Sequence, residues 1–294
     1  MPAYRFCRSD DIALLTDALN ACYGVHFPDQ DTLSTADFKR EIRELNVWSS
    51  SCMVASADRG PIAVVTGAKR ERETLIHRIG VHPEHQRQGH AAHLLESLSQ
   101  KLATLGPPRL VAEVPQDFPA VCDLFESVGY QAESTLADFC LEEPPPPLAA
   151  TAEIARASLD DLLGCGALDA AASRSWERAL PTLQNRKDQL DSVAIASDSR
   201  VEAYVLFRDL PAPNGQGRRE IVSLGAAEPP GDQASDARVL LEIAIRATCQ
   251  AGPLSVSVPK ICNQEVPWTL LESLGFRQSR SYTRYAAVPD ANTG

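Results

Sequence analysis

One passage constrains the fold more than any other. An apolar, strand-like run over residues 74–81 leads into Val81-His82-Pro83-Glu84-His85-Gln86-Arg87-Gln88-Gly89-His90-Ala91, and a Leu-rich run over 91–105 leaves it. Pro83 cannot continue a ladder, so the strand stops there. Gly89 and Ala91 are small, which lets the backbone curl and a ligand approach closely. The residues that follow repeat with helical spacing. A strand that turns on a glycine straight into a helix aims several main-chain N–H groups outward from the positive end of the helix dipole, a place that suits a pyrophosphate. A dinucleotide-binding turn would need Gly-x-Gly-x-x-Gly and a P-loop would need Gly-Lys-Ser/Thr; this turn has neither.

The pattern Gln86-x-x-Gly89-x-Ala91, with its Val-x-Pro approach and Leu94-Leu95 helix, resembles motif A of the Gcn5-related N-acetyltransferase (GNAT) superfamily, whose signature is Gln/Arg-x-x-Gly-x-Gly/Ala. The resemblance implies an α/β fold, an α+β arrangement on a mixed sheet, and acetyl-CoA as co-substrate. It implies that Gln86, Arg87, Gln88, Gly89, His90 and Ala91 hold the pyrophosphate, mainly through N–H groups. It also implies that the main chain at Ile79 and Val81 pairs with the pantetheine arm.

The chain is long enough for two domains, and it repeats itself. Leu94-Leu95-Glu96 recurs as Leu240-Leu241-Glu242, and Phe125-Glu126-Ser127-Val128-Gly129-Tyr130 recurs as Leu271-Glu272-Ser273-Leu274-Gly275-Phe276, both at an offset of 146 residues. Two matches at one offset indicate duplication. The proline run Pro144-Pro145-Pro146-Pro147 cannot continue a helix or a central strand and reads as a stiff spacer. The expected layout is two tandem GNAT-like domains: a catalytic domain over 1–143, a linker over 144–149, a degenerate domain over 150–288 and a tail over 289–294. At the offset, the Gln86 turn falls opposite Asp232-x-x-Ser235-x-Ala237. Glu228 and Asp232 would repel a pyrophosphate there, so the second half is expected to have lost the co-substrate.

Periodicity places strands at 3–7, 51–56, 62–69, 73–81, 109–114 and 131–141 and helices at 9–23, 34–45, 90–105 and 119–127. Ser9-Asp10-Asp11 reads as the first helix start. The second half reads as strands at 152–156, 193–197, 201–207, 219–225, 254–258 and 277–287. Its helices fall near 159–166, 175–188, 236–250 and 265–273. The amphipathic tract 176–186 either packs on the first domain or lines its cleft.

Acetyl transfer requires a neutral amine at the thioester and a stabilised thiolate. His77 lies nine residues before Gln86, the spacing of a proton-relay histidine in the arylalkylamine N-acetyltransferases. On a regular strand it shares a face with Leu75 and Ile79, opposite Arg78. His77 is the candidate base, with a hydrogen-bonded structural histidine as the alternative. Glu73 is a weaker candidate, because the family's usual glutamate position holds Leu75. Phe125 stands where the family often has its acid tyrosine, which leaves water or Tyr130 as proton donor. Arg78 is a candidate for a buried ion pair. The acceptor is expected to meet Tyr23-Gly24-Val25-His26-Phe27-Pro28 and the acidic Asp29 and Asp31.

No metal is expected. His82 and His85 flank the start of the turn without a Cys or carboxylate at ligand spacing, and His90 with His93 is a single pair. The net charge of −11 disfavours nucleic-acid binding. No apolar run is long enough to span a bilayer, the N-terminus lacks a signal-peptide core, and eight scattered cysteines read as reduced thiols of a cytoplasmic protein. The expected activity is acetyl transfer from acetyl-CoA to a primary amine by direct attack in a ternary complex, with a small-molecule amine favoured. The alternatives are a protein-lysine or N-terminal acetyltransferase and a non-catalytic acyl-CoA-binding module.

Overall fold

A computed structural model of the chain describes residues 2–28, 31–58, 60–143, 145, 153–168, 174–197, 200–211, 217–226, 234–250 and 255–287. The first half runs β1 (Ala3–Phe6), α1 (Ile12–Cys22), α2 (Thr35–Leu45), β2 (Met53–Ala57), β3 (Gly60–Lys69), β4 (Glu73–Val81), α3 (His90–Leu105), β5 (Arg109–Pro115), α4 (Pro119–Ser127) and β6 (Gln131–Leu141). The second runs β7 (Ile154–Ala155), α5 (Leu159–Gly164), α6 (Leu180–Asn185), β8 (Asp191–Ala196), β9 (Val201–Leu210), β10 (Arg218–Ala226), α7 (Ala234–Gln250), β11 (Ser255–Cys262), α8 (Trp268–Ser273) and β12 (Arg277–Ala287). The repeat extends to backbone detail. Gly129 and Gly275, one offset apart, both take left-handed φ, 89° and 91°, just past the helices they follow, where a side chain would be strained.

The differences from the sequence reading have local causes. The first helix starts at Ile12, and Asp11 does not cap it. The Asp11 carboxylate instead accepts from the Arg8 N–H and from both terminal nitrogens of the Arg5 guanidinium. The helix expected over 175–188 shrinks to Leu180–Asn185, because Pro181 is accommodated only in a first turn. Pro267 likewise delays α8 to Trp268.

Packing divides the chain into two compact units, residues 2–134 with 283–287 and residues 135–282. Of the proline run only Pro145 is among the described residues. The sixth strand of each half is divided between the units: residues 131–134 of β6 and 283–287 of β12 fall in the first, residues 135–141 and 277–282 in the second. β6 pairs antiparallel with β11, from Leu136 opposite Cys262 to Leu141 opposite Val256. The end of β12 sits beside β5 and brings Tyr285 into the first core.

In the first unit β1 to β4 are antiparallel neighbours and β4 pairs parallel with β5. β3 is buried from Ile62 to Ala68, as a strand covered on both faces must be. Leu94, Leu95, Leu98 and Leu102 of α3 pack on Val65, Ile76 and Ala112. Each such leucine contributes about 1.5–3 kcal/mol of burial. In the second unit β10 has the place of β4, antiparallel to β9 and parallel to β11. Its core joins Val205, Ile221, Ile245 and Leu271. Among the described residues no helix is long and apolar enough to cross a membrane. All eight cysteines are free, five of them buried.

Candidate active site

β4 and β5 form the site by parting. They pair from Glu73 opposite Arg109 to Ile76 opposite Ala112, and their pairing ends there. The stretches beyond, residues 77–81 and 113–115, diverge and line a cleft of about 600 Å³ in the first unit. On its other edge β4 carries a bulge. Arg78 opposes Thr66 and Ile76 opposes Gly67, so His77 is the extra residue. A bulge bends the strand and re-aims side chains. Gly80 adds a close crossing, because a Cβ there would lie 2.3 Å from the Cys22 carbonyl oxygen. The end of α1 can therefore lie directly on the diverging strand.

The turn after β4 completes the cleft. Arg87 and Gly89 both have positive φ, 61° and 83°, the alternation that gathers successive N–H groups into an anion-binding concavity. The hydrogen bonding of α3 begins with the His93 N–H on the Gly89 carbonyl, so the N–H groups of His90, Ala91 and Ala92 precede any intrahelical acceptor. Gln86 to Gly89 are exposed, and Gln86, Arg87, Gly89, His90 and Ala91 line the cleft. The His90 ring is buried and bonds the Tyr4 hydroxyl through Nδ1 at 2.5 Å, and burial, with His85 and His93 nearby, lowers its pKa. Ile79 and Val81 line the cleft, and the Val81 carbonyl accepts from His26 Nε2 at 3.1 Å.

His77 lines this cleft, but not with the facing that regular alternation gives. The bulge turns His77 and Arg78 to the same partner, Glu41 of α2. Arg78 donates to both Glu41 oxygens at 2.8 and 2.9 Å, and His77 Nε2 lies 3.6 Å from the same carboxylate. The Arg78 guanidinium also lies 5.5 Å from the Tyr23 ring centroid. Burial acts to raise the Glu41 pKa, but His77 and Arg78 outweigh it and hold the carboxyl below its ordinary value. Glu41 escaped the sequence reading because nothing along the chain links it to a strand 36 residues away. The acidic, apolar periodicity of α2 reads simply as a surface helix.

Two weaker candidates fall outside the cleft. Glu73 is at the paired end of β4, held by Arg109 at 3.3 Å and Arg284 at 3.2 Å. Tyr130 is in the core, 5% exposed, edge-on to Phe125 with ring centroids 5.0 Å apart. Burial pushes its pKa up, which removes it as an accessible acid. Phe125 itself lines the cleft and stacks on Tyr285. Tyr23, His26 and Phe27 also line the cleft. Phe27 also meets Phe118, ring centroids 5.3 Å apart. Asp29 lies outside the described residues, and Asp31 is exposed. A second carboxylate, Glu113 of β5, lines the cleft 3.6 Å from Arg284. The carboxylate found missing beside His82 and His85 is Glu84, whose oxygen lies within 4.8 Å of both imidazoles on the exposed turn.

The second unit parts its strands too. β10 and β11 pair from Arg218 to Glu220 and no further. Here the gap is filled. Arg178, fully buried, donates from Nη1 to the Ile221 carbonyl at 2.8 Å and the Pro259 carbonyl at 3.5 Å, and from Nη2 to Glu265 at 2.6 Å. Trp176, Arg178 and Thr182 are buried, with these bonds inside the second unit. Glu228 and Asp232 lie outside the described residues.

Residues 12–130 match the family model described as Acetyltransferase (GNAT) family. An acetyltransferase of Yersinia pestis (strain Pestoides F) is 29% identical over 94 residues, 32% of this chain and 67% of that protein. The GCN5-related N-acetyltransferase of Sphaerobacter thermophilus superposes with a TM-score of 0.67 at 16% identity, over 97% of this chain and 95% of its own. A tandem GNAT protein from the clavulanic acid biosynthesis pathway superposes with a TM-score of 0.66 at 11% identity, over 99% of both chains. Residues 12–130 therefore carry a GNAT-family acetyltransferase domain, and the chain as a whole has the fold of tandem GNAT proteins.

Proposed function

We propose that the first unit transfers acetyl from acetyl-CoA to a small primary amine and that the second unit is silent. The observation that carries this is the parting of β4 from β5 beside a turn whose N–H groups converge. N–H groups from Arg87 to Ala91 hold the pyrophosphate, and residues 77–81 guide the pantetheine arm so that the thioester lies beside His77. The amine enters past Tyr23, His26 and Phe27. His77 takes its proton directly or through one water. The amine nitrogen then attacks the thioester carbon, the adduct gives up its second N–H proton to water, the carbon–sulfur bond breaks, and the thiolate takes that proton back through water as it leaves. Neither Phe125 nor the buried Tyr130 can supply one. The Phe27–Phe118 contact narrows the cleft and favours a small amine over a polypeptide.

Silence of the second unit rests on two substitutions of chemistry. Ser223 stands at the 146-residue offset from His77, bonded to Tyr204 and Arg174. Arg178 occupies the gap that an acyl arm would need. The competing reading, a non-catalytic acyl-CoA binder, draws on Phe125 in place of an acid tyrosine.

Thiol release from acetyl-CoA across a panel of small primary amines separates the two. Turnover is expected, and His77→Ala should lower kcat at neutral pH by about 10²–10⁴-fold while the KM for acetyl-CoA stays within about twofold. Tight binding without thiol release on every amine would favour the binder.

A further inference from the structure

Glu41 and Arg78 do more than close an ion pair. We infer that they are positioning residues for His77: the Glu41 carboxylate anchors the imidazole, and Arg78 cancels the charge that would otherwise hold that imidazole protonated. The inference rests on the N-acetyltransferase reading for its use, but not for its physics.

The geometry supports a division of labour. Arg78 grips both oxygens of Glu41, and the shared Oε2 is also the oxygen nearest His77. The three side chains are 26%, 13% and 19% exposed for Glu41, His77 and Arg78, so screening by water is partial. An isolated carboxylate beside a half-buried imidazole favours the imidazolium, which cannot accept a proton from an amine. A carboxylate already paired with a guanidinium presents a nearly neutral neighbour at ion-pair distance from His77. The strand bulge is what makes this possible. On a regular strand, residues 77 and 78 would point to opposite faces, and one carboxylate could not serve both.

Other titratable groups around the cleft are engaged or belong to other elements. His26 bonds Val81 from the α1 side, and Tyr23 lies against Arg78. Glu113 of β5 meets Arg284, His85 and His90 belong to the turn and α3, and Asp123 to α4. Glu41 is therefore the charge on α2 that faces His77 directly.

Imidazole titration by NMR on the full chain tests this without any substrate, with the His77 resonance identified by its loss in His77→Gln. Arg78→Met should move the His77 midpoint up by about one pH unit, and Glu41→Gln should move it down by about as much. Arg78→Lys should restore most of the wild-type midpoint. Should Arg78→Met fail to fold with a buried carboxylate unpaired, the double variant Glu41→Gln/Arg78→Met removes both charges and should titrate between Glu41→Gln and wild type. In turnover, the acidic limb of kcat/KM should follow the same order while the KM for acetyl-CoA holds. Coincident midpoints in all folded variants would overturn the inference, as would a kinetic limb that ignores them. If no amine is turned over but the midpoints shift as stated, the acetyltransferase reading falls and the arrangement around His77 stands.

Discussion

Single residues do the positioning here, and the least conspicuous matters most. Gly80 has no chemistry, yet its missing Cβ lets the backbone at Cys22 and Tyr23 touch the diverging part of β4. The contact is with main-chain atoms, which cannot swing aside as a side-chain tip could. Gly80→Ala should therefore cost roughly 1–3 kcal/mol of stability, read as a lower urea midpoint with an unchanged m-value. It should also weaken amine affinity by displacing Tyr23. An unaltered midpoint would show that the crossing is looser than described. The same scale explains what the sequence concealed. Period-two alternation placed His77 with Leu75 and Ile79 and set Arg78 opposite. One extra residue in the register undid that, and a bulge leaves no signature in a single sequence. Glu73 and Tyr130 were plausible by spacing alone, and ion pairing and burial respectively withdraw them.

Among the elements, the turn between β4 and α3 was the most legible, because its requirements are local. A proline stop, a glycine with φ of 83° and a helix N-terminus within a few residues can each be read directly. The divergence of β4 from β5 was legible only through family resemblance, since it depends on which residues of β5 fail to meet β4. Gly89→Glu tests the turn as an element. Its Cβ would meet open space, so the added side chain need not clash, but it forces a non-glycine residue into left-handed φ and brings a negative charge to the mouth of the cradle. The expected result is loss of coenzyme A binding by calorimetry, with the circular dichroism melt lowered by only a few degrees. Retained affinity would contradict the role assigned to these amides.

For the whole molecule, duplication and the division of each final strand between the units are the organising facts. The 146-residue offset was visible in two short segments, and the structure extends it to element order, paired left-handed glycines and a second set of parted strands. That division was not visible: β6 and β12 read as ordinary final strands of their own halves, whereas each is split between the two units. Two units with the same opening but different fillings predict unequal behaviour, because Arg178 and Glu265 occupy in one what is open in the other. The most direct measurement is a crystal structure of the chain with bound acetyl-CoA, read together with calorimetric stoichiometry. The account predicts one coenzyme A per chain, its pyrophosphate on the N–H groups of Arg87 to Ala91 and its thioester beside His77. A nucleotide bound elsewhere, or a second molecule between β10 and β11, would contradict it.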